Sequence, residues 1–402
     1  MVKKSKVNKV PFPKNYASEF LVFEKGEGVY LYDPTGKKYI DFGSGIAVNA
    51  LGHGRDDLAE VAYNQMKKVV HTSNLFTSEP SVFLAEKLVA LGNFEAVHFG
   101  NSGAEANEAA IKYSRLYAFN KKGPGNHKIL ALEYGFHGRT MGALSCTYNA
   151  AYRTPFEPLV PGVEFTPLND VKSLEAKLDS TFAGVIVEVL QGEGGLQMMS
   201  SEFAKALNTL CRKHDVILIA DEVQTGLGRT GYPFGSSIVG LEPDIISLAK
   251  PLAGGLPLSA TLIPKKINDY VKTGDHGTTF GGGPVTCAVA GKVLDIILDP
   301  EFLANVRTRG KHLGKRLAET AAKYSFTGEV RGTGLLQGIE IKQPSDYKGD
   351  LIKNVISKCE DNGLIVLKSG KNIVRIAPPL IINEKQIDEG VEILNSTLES
   401  FK

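Results

Sequence analysis

The residues with the clearest chemical potential stand at the ends of apolar runs. Lys250 follows Ile245-Ile246-Ser247-Leu248-Ala249, with Pro243-Asp244 before the run and Pro251 and Gly254-Gly255 after it. Such a run reads as a short buried strand. Pro251 biases Lys250 away from the helical region, so its side chain is expected to leave a non-helical loop at the strand end. An ammonium in apolar company is costly unless it reaches water or its amine is consumed in a Schiff base. The solvated lysine is the commoner case, and only the company Lys250 keeps argues for the second.

That company lies upstream. Val216 to Ala220 is almost wholly apolar and ends in Asp221-Glu222-Val223-Gln224. A carboxylate there needs an arginine or a cationic ligand such as a protonated pyridine nitrogen. The run Ala96 to Phe99 leads into Gly100-Asn101-Ser102-Gly103-Ala104-Glu105 and then a helical pattern. Ser102 and Glu105 have capping-box spacing, and a glycine at a helix start exposes N–H groups that suit a phosphate, although a plain helix cap has the same spelling. After Lys128 to Leu132 comes Tyr134-Gly135-Phe136-His137-Gly138-Arg139. There an aromatic ring and an arginine can serve as a stacking plate and a carboxylate clamp, or as packing and a surface ion pair. A phosphate seat, a stacking aromatic, a strand-end aspartate and a strand-end lysine, in that order, compose a site for pyridoxal 5′-phosphate.

The elements that must position these residues follow from periodicity. Short apolar runs at Ala96 to Phe99, Lys128 to Leu132, Gly184 to Val189, Val216 to Ala220, Ile245 to Leu248 and Leu258 to Ile263 alternate with helical patterns. This predicts an α/β fold with a mostly parallel sheet covered by helices, and ligands beyond the carboxyl ends of its strands. Before it, Gly28 to Asp41 reads as a hairpin about Asp33-Pro34-Thr35-Gly36, Gly43 to Gly54 as a glycine-broken loop, and Asp57 to Val70 and Ser81 to Leu91 as helices. Beyond a helix from Pro284 to Leu298, helices at Glu301 to Tyr324 and Lys348 to Asn362 alternate with strands at Leu335 to Ile341, Leu364 to Lys368 and Ile373 to Ala377. That is an α+β pattern. The expected organisation is an N-terminal segment, 1–50, joining a small C-terminal domain, 291–402, with a large cofactor-binding domain, 51–290, between them.

Composition narrows the function classes. The chain of 402 residues is 43% apolar and 22% charged, ordinary for a globular protein with large cores. Its 46 basic and 44 acidic residues leave net +2, with no dense basic stripe beyond Lys3-Lys4-Ser5-Lys6, which argues against nucleic acid as a partner. No apolar run approaches the ~18 residues of a membrane helix, and the N-terminus lacks a signal-peptide pattern, so neither a membrane nor export is expected. The four cysteines lack metal-ligand or redox spacing; no metal is expected, and a reducing, cytoplasmic setting fits.

The motifs together resemble the class III pyridoxal-phosphate aminotransferases of fold type I, most closely the acetylornithine group, over essentially the whole chain. The resemblance rests on G-I-A-V-N-A-L-G-H from Gly45, H-T-S-N-L-F-T-S-E-P from His71 and N-S-G-A-E-A-N-E-A-A-I-K from Asn101. It continues through F-H-G-R-T from Phe136, Q-G-E-G-G from Gln191, D-E-V-Q-T-G-L-G-R-T-G from Asp221 and H-G-T-T-F-G-G from His276. It implies that Lys250 carries the cofactor as a Schiff base, Asp221 faces the pyridine nitrogen, Phe136 stacks on the ring and Gln224 lies near the phenolic oxygen. Ser102, Gly103 and Ala104 would hold the phosphate, joined by Thr279 from a second subunit, which makes the expected assembly a homodimer with shared sites. Arg139 would bind a substrate carboxylate and Arg375 the α-carboxylate of 2-oxoglutarate, with Glu193 covering Arg375 while the amine donor is bound. A covered arginine makes physical sense, since an uncovered one would face the donor chain unpaired.

The activity so implied moves the distal amino group of N2-acetylornithine to 2-oxoglutarate by a ping-pong exchange, as in arginine biosynthesis, giving N-acetylglutamate 5-semialdehyde and glutamate. Two features bear on these expectations, the first on Thr279 and the second on the donor. Gly283 stands where the family has asparagine, and A-K-P-L-A-G-G-L-P-L-S-A from Ala249 is equally similar to 4-aminobutyrate aminotransferases. The alternatives are 4-aminobutyrate or a succinylated diamine (succinylornithine, succinyldiaminopimelate) as donor, or a catalytically silent binding protein on the same fold.

Overall fold

The computed structural model describes residues 6–7, 10–16 and 20–402. The chain forms two compact units, residues 57–307, and residues up to 56 together with 308–402. The division at 307/308 falls inside the helix Pro300–Ala321.

The larger unit is built on a seven-stranded sheet. Its spatial order is Ala96–Gly100, Ser259–Ile263, Ile245–Leu248, Ile217–Asp221, Phe182–Val187, Lys128–Leu132 and Val163–Thr166. Pairing is parallel throughout except for Ser259–Ile263, which runs against both neighbours. The central strands Phe182–Val187, Ile217–Asp221 and Ile245–Leu248 are buried along their whole length, as continuous apolar runs in a sheet covered on both faces must be. One such cover is the helix Gly103–Lys122, which packs Ala109, Ala110, Tyr113 and Tyr117 against Ile129, Ile186, Ile217, Ile219 and Ile245.

The register brings the chemistry to one edge. Asp221 lies beside Ser247, Leu248 beside Ala260, and Gly100 beside Ser259, so the carboxyl ends of the parallel strands share a rim with the start of the antiparallel one. Val163–Thr166, which the sequence reading passes over, is the outermost strand. It is only partly buried apart from Thr166, so its spelling, V-E-F-T, lacks a long apolar run.

The smaller unit holds two four-stranded sheets. One, in the order Thr327–Thr333, Leu336–Ile341, Ile373–Ile376 and Leu367–Ser369, is antiparallel. In the other, the hairpin strands Tyr30–Tyr32 and Lys38–Asp41 pair antiparallel, and Lys38–Asp41 also pairs in parallel with Leu364–Ile365. The segment after the hairpin corrects the expected open loop. Ser44–Ala47 forms a helical turn with positive φ at every residue, 48°, 59°, 67° and 61°. Left-handed backbone costs roughly 1–2 kcal/mol at each non-glycine residue, and local hydrogen bonds offset it. Asp41 Oδ1 accepts from the Gly43 and Ser44 N–H groups at 2.9 and 2.7 Å, and the Ser44 hydroxyl donates to the Ala377 carbonyl at 2.8 Å.

Candidate active site

Asp221 ends its strand almost wholly buried, at 5% exposure, and the structure supplies three donors. Its Oδ2 accepts from Asn107 Nδ2 at 2.7 Å and pairs with His137 Nδ1 at 2.8 Å, while Oδ1 accepts from the Val223 N–H at 3.1 Å. Asn107 projects from the helix Gly103–Lys122 and His137 follows the aromatic Phe136, so this one carboxylate ties two neighbouring elements to the strand end. Sequence reasoning missed both partners. A carboxylate has room for about four hydrogen bonds, so Oδ1, with a single backbone donor, keeps capacity for another.

Glu188 is a third residue the sequence reading missed. It directly follows the strand Phe182–Val187 and is buried. Its two oxygens accept from the Phe136 N–H at 2.9 Å and the Gly192 N–H at 3.0 Å. Burial pushes its carboxyl up from the ordinary range, the His137 imidazole opposes this, and Asp221 adds to it. Glu188 therefore fastens the loop bearing Phe136 to the loop bearing Glu193. The signal that could have found it is the one that marked Asp221, an acid at the end of an apolar run.

At the helix start the capping expectation is half met. Ser102 Oγ accepts from the Glu105 N–H at 3.3 Å, but Glu105 Oε2 reaches past Ser102 to the Asn101 N–H. The exchange is one residue longer than a capping box because Asn101 also donates its side-chain amide to Glu105 Oε1, at 3.1 Å. Gly103 is required here by close approach: a Cβ on it would lie 2.6 Å from Val223 Cγ1, so the helix N-terminus rests on the loop that follows Asp221. Gly192 is pressed in the same way against Gln224, whose side-chain atoms would lie 2.5 Å from a Cβ there. Ser102, Gly103, Ala104, Asp221, Gln224 and the Glu193 loop are thus drawn to one rim of the larger unit.

Lys250 corrects a local expectation. Its strand ends at Leu248, as read, but Lys250 opens a single 3-10 turn, Lys250–Ala253, rather than an irregular loop. Pro251 is tolerated because the first turn needs no N–H from it. Lys250 itself has φ +25°, after Ala249 at φ −160° and ψ −120°. A non-glycine residue there carries about 1–3 kcal/mol of strain, a level that clusters at functional sites.

Arg139 is exposed, and no ion pair to it is present among the described residues. Its guanidinium carbon lies 3.7 Å from the Tyr152 ring centre and 5.5 Å from that of Phe136. Thr279 is exposed, in a loop pinned by Asn74 Nδ2 to the Thr278 and Gly281 carbonyls at 2.8 and 3.1 Å. Gly283 caps the next helix, Pro284–Ile297, without a side-chain bond. Glu193 is half-buried in the larger unit. Arg375 belongs to the smaller unit, buried at 3% exposure on the strand Ile373–Ile376.

The residues present fit pyridoxal 5′-phosphate. A buried aspartate keeps spare acceptor capacity, a glycine start of a 20-residue helix offers N–H groups, and the hydroxyls of Ser247 and Ser259 at the same rim are buried without a partner among the described residues. No cluster of three or more potential metal ligands is present among the described residues, and no described helix is long and apolar enough to cross a membrane.

Comparison with known proteins agrees with this fit. The class-III aminotransferase profile matches residues 12–398. A probable mitochondrial acetylornithine aminotransferase of Dictyostelium discoideum is 42% identical over 385 residues, 94% of this chain and 83% of its own. The acetylornithine/succinyldiaminopimelate aminotransferase of Photorhabdus laumondii is 42% identical over 94% of this chain and 93% of its own. Among solved structures, the ornithine aminotransferase of Toxoplasma gondii superposes with a TM-score of 0.91 at 30% identity, covering 97% of this chain and 93% of that one. The chain belongs to the class-III aminotransferases, transaminases of fold type I that depend on pyridoxal 5′-phosphate.

Proposed function

We propose that this transaminase takes the distal amino group of N2-acetylornithine and passes it to 2-oxoglutarate. The observation that carries the reading is the 42% identity to relatives bearing the acetylornithine name along 94% of the chain, against 30% to an ornithine enzyme of the same fold. The guanidinium of Arg139, without an ion pair among the described residues, supports it, since a donor with an α-carboxylate distant from the reacting amine needs a second anion site.

When bound, the cofactor supplies an electron sink that holds the amino group between the two half-reactions. Lys250 Nζ would anchor it and would move the proton at the substrate carbon. The Asp221 carboxylate, oriented by Asn107 and His137, favours a protonated ring nitrogen. Phe136 would cover the ring, Gln224 would sit near its oxygen, and Ser102, Gly103 and Ala104 would hold its phosphate. Arg139 and Arg375 bind carboxylates, and Glu193 covers Arg375 during the donor half-reaction.

The same reading includes a homodimer in which Thr279 serves the partner's phosphate. An apolar surface of the larger unit supports it: Leu75, Phe76 and Phe280 are 88%, 74% and 69% exposed. The His71 ring meets Phe280 at 5.5 Å and a tilt of 43°, and Asn74 holds the same loop, so these residues share one surface. Monomers rarely leave such a patch in water. The cytoplasm is the proposed compartment, in keeping with four buried, unpaired cysteines.

The test is a donor panel with 2-oxoglutarate comprising N2-acetylornithine, ornithine, 4-aminobutyrate, succinylornithine and succinyldiaminopimelate. The acetylated donor should have the highest kcat/KM; a higher value for 4-aminobutyrate would overturn the assignment. Light scattering should give twice the chain mass.

A further inference from the structure

We propose that Tyr152 is a positioning residue that holds the Arg139 guanidinium ready for the substrate carboxylate. The inference rests on the reading of Arg139 as a carboxylate site.

Two arms of chain bring the pair together. The Tyr148 N–H donates to the Gly135 carbonyl at 3.0 Å and the His137 N–H to Thr147 Oγ1 at 3.0 Å, so the segment before Arg139 is stitched to the segment before Tyr152. Asn149 then caps the turn Ala150–Arg153 by accepting from the Ala151 N–H at 3.1 Å, which aims Tyr152 back across the stitch. The ring of Tyr152 meets Phe136 edge-on, at 6.4 Å and 88°. Phe136 and Tyr152 thereby make a corner, and the guanidinium lies on the Tyr152 wall of it at 3.7 Å, well inside cation–π range.

Arginine is long and rotamer-rich, so an exposed one must be ordered before it can grip a planar anion, and an ordering cost met at binding weakens affinity. The N–H donors of a guanidinium lie in its plane. A ring against its face therefore fixes the fork without occupying the edges a carboxylate needs. No hydrogen bond of the Tyr152 hydroxyl is present among the described residues, so the ring face is the working part.

The test compares Tyr152→Phe, which keeps the face, with Tyr152→Met, which keeps bulk without it, and Tyr152→Leu as a second variant should the methionine protein fold poorly. Donors are N2-acetylornithine and 1-aminopentane, which lacks a carboxylate. Met and Leu should raise KM for acetylornithine by about 3- to 30-fold, the range set by cation–π strength. Their kcat and the aminopentane reaction should stay within about twofold of the parent, and the phenylalanine enzyme should match the parent for both donors. Equal losses in Phe and Met, an unchanged KM in Met, or equal losses for both donors would overturn the inference. Arg139→Ala separates the two levels. If it leaves the acetylornithine KM unchanged, the carboxylate reading of Arg139 falls; if it raises KM while Tyr152→Met does not, only the role of Tyr152 falls.

Discussion

Replacing Asn107 by leucine tests whether Asp221 is held by the donors around it. Asn107 is 1% exposed, and its Nδ2 donates to both Asp221 Oδ2 and the His137 carbonyl, each at 2.7 Å. Leucine has similar bulk and donates nothing. Losing a hydrogen bond to a carboxylate costs about 1.5–3 kcal/mol, and leaving a buried carbonyl without its donor about 1–3 more. Better apolar burial and removal of the unpaired Asn107 Oδ1 return about 1–2 kcal/mol. The net destabilisation is about 3 kcal/mol, which for a unit the size of residues 57–307 lowers Tm by about 6 to 12 °C. The measurement is calorimetric melting of cofactor-free protein at fixed concentration, with titration of cofactor affinity beside it; affinity should weaken along with stability. Parent-like melting and affinity in Asn107→Leu would refute the claim that this amide holds the carboxylate in place.

Lys250→Ala should abolish transamination while leaving the melting profile near the parent's; near-normal turnover would make Lys250 structural. Glu193→Ala should slow the acetylornithine half-reaction by roughly ten- to a hundredfold and spare that of glutamate, and Arg375→Ala should harm the 2-oxoglutarate half more. Equal losses in both halves, read by single-turnover absorbance, would reduce the pair to scaffolding. The last concerns acid. His98 stacks on His276 at 4.5 Å, accepts or donates with Tyr113 at 3.0 Å, and faces Lys112 and Glu105; burial first, then His276 and Lys112, lowers it to about 4. Its folded form resists protonation that the unfolded chain accepts near 6.5, so stability present above that pH drains away as pH falls towards 4, by about 3 kcal/mol. His98→Phe should flatten urea-unfolding stability between pH 7 and 4.5, and an unchanged slope would refute the assignment.

What the sequence makes legible follows from which signals are local. Continuous apolar runs such as Ile217–Asp221 and Ile245–Leu248 declare buried parallel strands by themselves, and with them the positions of Asp221 and Lys250. The left-handed turn at Ser44–Ala47 is not legible, because nothing in Ile46 or Ala47 favours positive φ. Asp41 and a bond to Ala377, more than 300 residues away, stabilise it. Asn107 and His137 look like ordinary helix and loop residues until the fold sets both on one carboxylate. Tyr152 is hidden in the same way, since its partner lies across a loop stitched by backbone bonds.

The origin of its hydrogen-bond donors sets Asp221 apart from the other acids at the rim, a distinction the spelling Asp221-Glu222 leaves open. Glu222 is held within its own loop: Thr225 Oγ1 and the Gly235 and Ser236 N–H groups all donate to it, and burial pushes its carboxyl upward. Glu188 is occupied in joining the Phe136 and Gly192 backbones. Asp221 alone of the three takes side-chain donors from two neighbouring elements, Asn107 and His137, while its Oδ1 takes a single backbone N–H. The other two acids are therefore parts of the frame. They fix the loops that carry Phe136, Glu193 and Gln224 around Asp221, and substituting them should disturb the placement of those loops before it disturbs the chemistry.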